Sequence, residues 1–253
     1  MVGTQHKVGA VFPAAPPRVA DGRRVYAVGD IHGRADLLER LHGLIRADVV
    51  AAPKRRNVLV YLGDYIDRGT GSSAVVEMLI ERPLEGFEAV HLKGNHEDFL
   101  LGFLDDHSIA ANWVLNGAME TLRSYGVAPL DMMRGTSGQR KVQRALAAAV
   151  PPHHLAFFRT LETRHVEGDY VFVHAGLRPG VSLKDQREID LLWIRGEFLS
   201  NESFFPKFVV HGHTSRREPE VRANRINIDT RAYHSNRLTC LVLDGADRRF
   251  LRT

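Results

Sequence analysis

The chain has 253 residues, 44% hydrophobic and 25% charged, with a formal charge of +4. That balance supports a packed core and excludes wholesale disorder. The single cysteine, Cys240, excludes an internal disulfide framework and fits a reducing compartment, and the apolar runs are too short to span a bilayer. The basic residues are scattered, without a stripe of interleaved aromatics, so no stable nucleic-acid partner is expected. Arg far outnumbers Lys, which favours bidentate grip on phosphate.

Residues 1–22 carry Pro13, Pro16 and Pro17 with several Gly and Ala, and read as a loosely ordered leader. They lack the basic and apolar regions of a signal peptide, so a cytoplasmic protein is expected, with no membrane partner. Residues 23–253 are expected to form one domain. Arg24–Val28 reads as a first strand ending at Gly29-Asp30-Ile31-His32-Gly33. A helix is predicted from about Ala35, with Leu37, Leu38, Leu41, Leu44 and Ile45 on one face. Val58–Leu62 is a buried central strand that stops at Gly63, where Asp64, Asp67 and Arg68 crowd together. Ser72 or Ser73 is expected to cap the next helix, whose apolar face holds Val75, Val76, Leu79 and Ile80. Phe87–Leu92 is a third strand, ending at Gly94-Asn95-His96-Glu97. This βαβαβ order predicts a parallel sheet.

Residues 98–160 show helical spacing and read as a helical insertion over the strand ends. Further strands are predicted at Asp169–Val173, before His174-Ala175-Gly176, and at Phe208–Val210, before His211-Gly212-His213-Thr214. Leu191-Leu192-Trp193-Ile194-Arg195 lies between them. Arg225–Asp229, Leu238–Leu243 and Arg249–Leu251 alternate well, with a turn at Asp244-Gly245, so this half reads as antiparallel.

Five strand ends thus carry the same kind of residue: Asp30 and His32; Asp64; Asn95 and His96; His174; His211 and His213. Carboxylate, amide oxygen and imidazole suit manganese, iron, zinc or nickel better than calcium, and the absence of thiolates argues against a structural zinc. An Asp shared by two ions would hold them roughly 3.5–4 Å apart and create a hydroxide bridge.

On these motifs the sequence resembles the calcineurin-like metallophosphoesterases, phosphoprotein phosphatase branch, with its nearest look to bacterial and phage serine/threonine protein phosphatases. The resemblance covers most of residues 24–243. It implies an α/β fold, a four-layer α/β-β/α sandwich of two mixed sheets flanked by helices. It implies two divalent or trivalent ions, manganese favoured. Asp30, His32 and Asp64 would hold the first, and Asp64, Asn95, His174 and His213 the second. His211 would pack or hydrogen-bond nearby. His96 would be the general acid, supported by Asp67; Arg68 and Arg195 would bind phosphate, with Asn95 also lining the substrate. In place of the family's Asp-Thr-Gly-Ala, the chain has Asp229-Thr230-Arg231-Ala232, so Arg231 is either strained or a third cation.

The implied reaction is attack of a metal-bridging hydroxide on the phosphorus of a phosphorylated protein or small phosphoester. The competing readings are a symmetrical diadenosine tetraphosphate hydrolase and a silent phosphate-binding module. Bacterial diadenosine tetraphosphate hydrolases with these motifs typically have Ala at the place of Asp67 and Asp at that of Glu97. Trp113 is read as a core residue, with base stacking as the other possibility. Oligomeric state is not specified by the sequence.

Overall fold

The computed structural model describes residues 15–253; the expected leader before residue 15 lies outside the described residues. Among the described residues ten strands form two five-stranded sheets. The first contains β1 (Arg23–Val28), β2 (Arg56–Tyr61), β3 (Phe87–His91), β9 (Thr239–Asp244) and β10 (Asp247–Arg252), in the order β10-β9-β1-β2-β3. The second contains β4 (Arg164–Glu167), β5 (Tyr170–Val173), β6 (Phe208–His211), β7 (Glu220–Val221) and β8 (Arg225–Asn227), in the order β4-β5-β6-β8-β7. Residues 17–19 are tied to both sheets' turns. Val19 N–H donates to Gly245 O, Asp169 N–H to Arg18 O, and the Tyr170 hydroxyl to Pro17 O.

Period-2 alternation sorts each strand between two cores. Val25, Ala27, Val58 and Val60 face inward and meet Tyr170, Phe172, Val210 and Ile226 from the other sheet. Tyr26, Val28, Leu59 and Tyr61 face outward, under α1 (Ala35–Ala51) and α2 (Ser72–Glu81). Val171, Val173 and Val209 face the opposite way, under α8 (Glu188–Trp193) and α9 (Gly196–Leu199). The result is the helix–sheet–sheet–helix layering expected. Each fully buried Val, Leu or Phe contributes about 1.5–3 kcal/mol relative to exposure in water.

Between β3 and β4 the chain is helical: α3 (Asn95–Asp105), α4 (Ala110–Leu115), α5 (Ala118–Ser124), α6 (Gly135–Ala149) and α7 (Pro152–Thr160). These helices extend the outer core of the first sheet through Leu100, Phe103, Trp113, Leu122, Leu146 and Phe158. Ala232–Ser235 forms a last short helix, α10.

The antiparallel reading of the second half needs correction. β5, β6 and β8 run parallel, and the antiparallel partners are the outer strands β4 and β7. β9 and β10 are antiparallel but join the first sheet beside β1. Local alternation reports burial on one face and carries no information about strand direction. β4 escaped notice because Arg164-His165-Val166-Glu167 has little apolar content.

Two helix details also differ. The buried stripe of α1 is Leu37, Leu38, Leu41, His42 and Ile45, while Leu44 is 39% exposed. Neither serine caps α2: Gly71 is the N-cap, and Ser72 lies inside the helix, buried, with its hydroxyl accepting from Asp67 N–H.

His42 and His91 are both held neutral around Tyr61. His42 Nε2 is 2.8 Å from the Tyr61 hydroxyl, and the His91 ring stacks on Tyr61 at 4.9 Å. Burial lowers each pKa to about 4. Above the unfolded value near 6.5 neither ring affects stability; as pH falls toward 4, the unfolded chain takes up protons that the fold refuses. Each ring should therefore remove about 2 kcal/mol of stability by pH 5. His91→Phe keeps the stack and removes the titration. Urea midpoints of wild type and His91→Phe should diverge between pH 7 and pH 5; parallel losses would show that His91 is not the cause.

Candidate metal centre

The carboxyl ends of the two sheets meet. His213 N–H, after β6, donates to Asp30 Oδ2 (3.0 Å), after β1, and His174 Nδ1, after β5, donates to Leu62 O (2.9 Å), after β2. Ligands fill crevices of this kind in α/β proteins. Asp30, His32, Asp64, Asn95, His174 and His213 are gathered there, all buried. Gly residues permit the approach: a Cβ on Gly94 would stand 2.2 Å from Asp64 Oδ1, and one on Gly212 would stand 2.0 Å from Asp30 Oδ1.

The histidine tautomers turn lone pairs into the pocket. His32 Nδ1 donates to Ile66 O (2.9 Å) and His174 Nδ1 to Leu62 O, so each Nε2 presents a lone pair. His174 Nε2 faces Asn95 Oδ1 at 3.0 Å and Asp64 Oδ1 at 3.4 Å. His32 Nε2 faces Asp64 Oδ2 at 3.5 Å. Asn95 Oδ1 also lies 2.7 Å from His213 Nδ1, while Asp30 Oδ1 and His213 Nε2 are buried without a hydrogen-bond partner. Acceptors turned on acceptors in a dry site are unfavourable unless a cation lies among them. The donor set fits borderline metal ions.

Electrostatics agree. Burial opposes the charge on Asp64, but His174, His96, His32 and Arg68 outweigh it and hold its pKa below the carboxylate range. Asp30 is driven well above that range by burial, with Asp229 and Asp64 adding to the push. Asp229, fully buried beside them, is raised to about 6 by burial and Asp64. Asp229 has no role in the sequence analysis beyond opening the Asp229-Thr230-Arg231-Ala232 stretch; its place after Ile228, at a sixth strand end, is the signal that marks it.

His96 stands beside this set. Its Nδ1 is 2.6 Å from Asp67 Oδ2, and its Nε2, 3.7 Å from Asp64 Oδ2, has no hydrogen-bond partner. Burial disfavours its cation, but Asp64 and Asp67 prevail and raise its pKa. Asp67 is gripped on all sides. Thr121 Oγ1 donates to its Oδ1 (2.5 Å) and Trp113 Nε1 to its Oδ2 (2.8 Å), while its own N–H bonds to Thr121 and Ser72. Trp113 is thus a buried residue with a polar duty that its sequence context did not reveal. Glu97 knits the loops together: its carboxylate accepts from the N–H groups of Gly94, Asp64 and Tyr65 at 2.8–2.9 Å.

At the mouth, Arg68 Nη1 donates to His32 Nε2 (2.8 Å), and its guanidinium lies 5.1 Å from the Tyr233 ring. Arg195 is exposed and bonds Thr214 Oγ1 (3.2 Å), with no carboxylate within 4.0 Å among the described residues. Burial and the nearby Arg68 charge lower its pKa. Arg231 is exposed with φ 57°, its Nε donating to Ser215 Oγ (2.9 Å). His211 stays apart, its Nδ1 on Gly212 O and its ring 4.9 Å from Phe198.

Residues 23–238 match the family model for calcineurin-like phosphoesterases. The chain belongs to this calcineurin-like phosphoesterase family. It is therefore a phosphoric ester hydrolase with a metal-binding site. A curated relative, the asymmetrical bis(5'-nucleosyl)-tetraphosphatase PrpE of Bacillus thuringiensis, is 24% identical over 232 residues, covering 85% of this chain and 88% of the relative. Among solved structures, a protein described provisionally as a diadenosine tetraphosphatase superposes with TM-score 0.61 at 22% identity, over 90% of this chain and 93% of that one. A serine/threonine phosphatase from Saccharomyces cerevisiae superposes with TM-score 0.54 at 15% identity, over 91% and 79%. At those identities the structural likeness shows the shared phosphoesterase fold.

Trp113→Phe keeps the aromatic body in this phosphoesterase and removes one donor from a buried carboxylate. Its unfolding free energy should fall by about 1.5–3 kcal/mol. A urea titration reads this; an unchanged midpoint would show that Asp67 does not depend on the indole.

Proposed function

We propose that the protein is a two-metal phosphomonoesterase acting on phosphorylated serine or threonine side chains. The observation that carries this reading is the His96–Asp67 pair, set beside the metal donors with His96 Nε2 unpartnered. Asp30, His32 and Asp64 are assigned to one ion, and Asp64, Asn95, His174 and His213 to the other. Asp30, with its free Oδ1, completes the first set and leaves His96 for proton transfer. Manganese is favoured, with iron, zinc and nickel compatible with the donors. When bound, the ions supply Lewis acidity, lowering the pKa of water and offsetting phosphoryl charge.

The chain's own groups do the rest. Arg68 and Arg195 neutralise and orient the phosphoryl oxygens by charge-assisted hydrogen bonds. Arg68 leaves His32 Nε2 to do so, and the Tyr233 ring gives its guanidinium a face to rest on. As water adds to phosphorus and the ester P–O bond breaks, His96 Nε2 delivers its proton to the departing alkoxide. Asp67 fixes the tautomer and stabilises the cationic ring, and Thr121 and Trp113 hold Asp67. Such an acid matters most for serine and threonine alkoxides, which are poor leaving groups. A cytoplasmic setting belongs to the same reading, supported by the lone buried thiol of Cys240.

The names of the bacterial relatives favour a second reading, hydrolysis of dinucleoside tetraphosphates, in the asymmetrical sense rather than the symmetrical one. A panel of phosphothreonine peptide, p-nitrophenyl phosphate and diadenosine tetraphosphate under one metal condition separates the two. The monoesters should show the higher kcat/KM; a preference for the dinucleotide above about tenfold, near 1.4 kcal/mol in the barrier, selects the second reading. His96→Asn should lower kcat by about 10²–10⁴ on an alkyl phosphate, less on p-nitrophenyl phosphate, with metal content retained. Equal losses on both esters would remove His96 from the role of acid.

A further inference from the structure

Away from the active centre, α2 and α7 bring three metal-competent side chains together. His153 Nε2 lies 3.0 Å from Glu77 Oε2, and His154 Nε2 lies 2.7 Å from the same oxygen. The two imidazole rings are 4.6 Å apart and near perpendicular, and the three candidate donor atoms lie within 4.8 Å of one another. His154 is buried, its side chain 3% exposed, whereas Glu77 and His153 are about half exposed, at 51% and 47%. The cluster is therefore anchored at the back and open at the front.

We infer that Glu77, His153 and His154 form a second, peripheral metal site, selective for an imidazole-preferring divalent ion such as Zn²⁺ or Ni²⁺. Two imidazoles and one carboxylate, with an open side for water, make a set that transition ions take in preference to Mg²⁺ or Ca²⁺. His154 Nδ1 is 2.9 Å from the Tyr125 hydroxyl, which can accept its N–H and leave Nε2 as a lone pair. Without an ion, each Nε2–H donates to Glu77 and the Tyr125 hydroxyl donates to His154 Nδ1. Entry of an ion then needs only a change of tautomer, the ring proton moving from Nε2 to Nδ1 as the Tyr125 hydroxyl turns to accept it from His154, with little movement of side chains. The protonation states are favourable: burial keeps His154 neutral, and hydrogen bonds from His153 and His154 hold Glu77 ionised.

The ion would join the last helix before β4 to the helix that follows the Arg68 loop. α2 begins at Ser72, which bonds Asp67 N–H and Thr121, and Tyr125 caps the helix that carries Thr121. The same elements thus support Asp67 at one end and the proposed ion at the other.

The test uses the full chain and Zn²⁺ itself. Wild type, His153→Ala and the Glu77→Gln/His153→Ala pair are dialysed against Zn²⁺, and bound metal is counted by elemental analysis. Wild type should hold about one more equivalent than either variant, or bind that equivalent at least about tenfold more tightly. Ni²⁺ should raise the unfolding temperature of wild type more than that of His153→Ala. Turnover of p-nitrophenyl phosphate with Mn²⁺ should be the same in all three. Equal Zn²⁺ content and affinity would show that the three side chains form a hydrogen-bonded clasp and nothing more. Loss of turnover together with the ion would show that the metal missing from the variant belongs to the active centre.

Discussion

The fold is built around the burial of five carboxylates. Asp30, Asp64, Asp67, Glu97 and Asp229 are each at most 2% exposed, and all sit where the two sheets' carboxyl ends meet. An unpaired buried charge costs several kcal/mol, so each must be answered. Glu97 is answered by backbone N–H groups, and Asp67 by Thr121, Trp113 and His96. Asp64 is answered by the His96 N–H, which donates to its Oδ1 (3.2 Å), and by the charges of His96 and Arg68. Asp30 and Asp229 have the least: burial raises their pKa values, as it raises that of Glu97 to about 7, but of the five only these two have a buried oxygen without a partner among the described residues. One of the two least answered carboxylates, Asp30, is thus a residue assigned above to a proposed ion.

Backbone strain is concentrated in the same place. Among the described residues seven non-glycine residues have positive φ, and His32, Asp64, Asp67, Arg68 and His213 are among them. Each such conformation costs on the order of 1–2 kcal/mol, and the packing of two sheets and the Glu97 knot hold it there. Arg231 belongs to the set as well, so its αL backbone bears out the strain that replacement of a glycine implies, while its side chain is tied to Ser215 at the rim.

How far the sequence could be read follows from this arrangement. Strand ends were visible because a buried apolar run must stop where polar residues begin, and Asp30, Asp64, Asn95, His174 and His213 each follow such a run. Strand direction was not visible for β5, β6 and β8, since pairing is decided by partners far away in the chain. Supporting residues were harder still. Trp113 and Thr121 serve Asp67 across separations of 46 and 54 residues, and nothing local distinguishes them from core positions. Ser72 looked like a helix cap because capping is the commonest duty of a serine there; the buried Asp67 N–H claimed its hydroxyl instead.

The pairing of β1 with β9 has a bearing on how the chain is made. Arg24 is 1% exposed, and its guanidinium rests on Asp244 at 2.6 Å, 220 residues later. On the ribosome β1, β2 and β3 emerge before β9, and until β9 is made one edge of β1 stays unpaired and Arg24 stays without its carboxylate. Contacts of such long range are slow to form, and an open strand edge invites pairing with other chains meanwhile. The β9–β10 hairpin therefore closes the first sheet: the sheet, and with it the seat of Asp30, becomes complete only after the chain has run on 220 residues from Arg24 to Asp244.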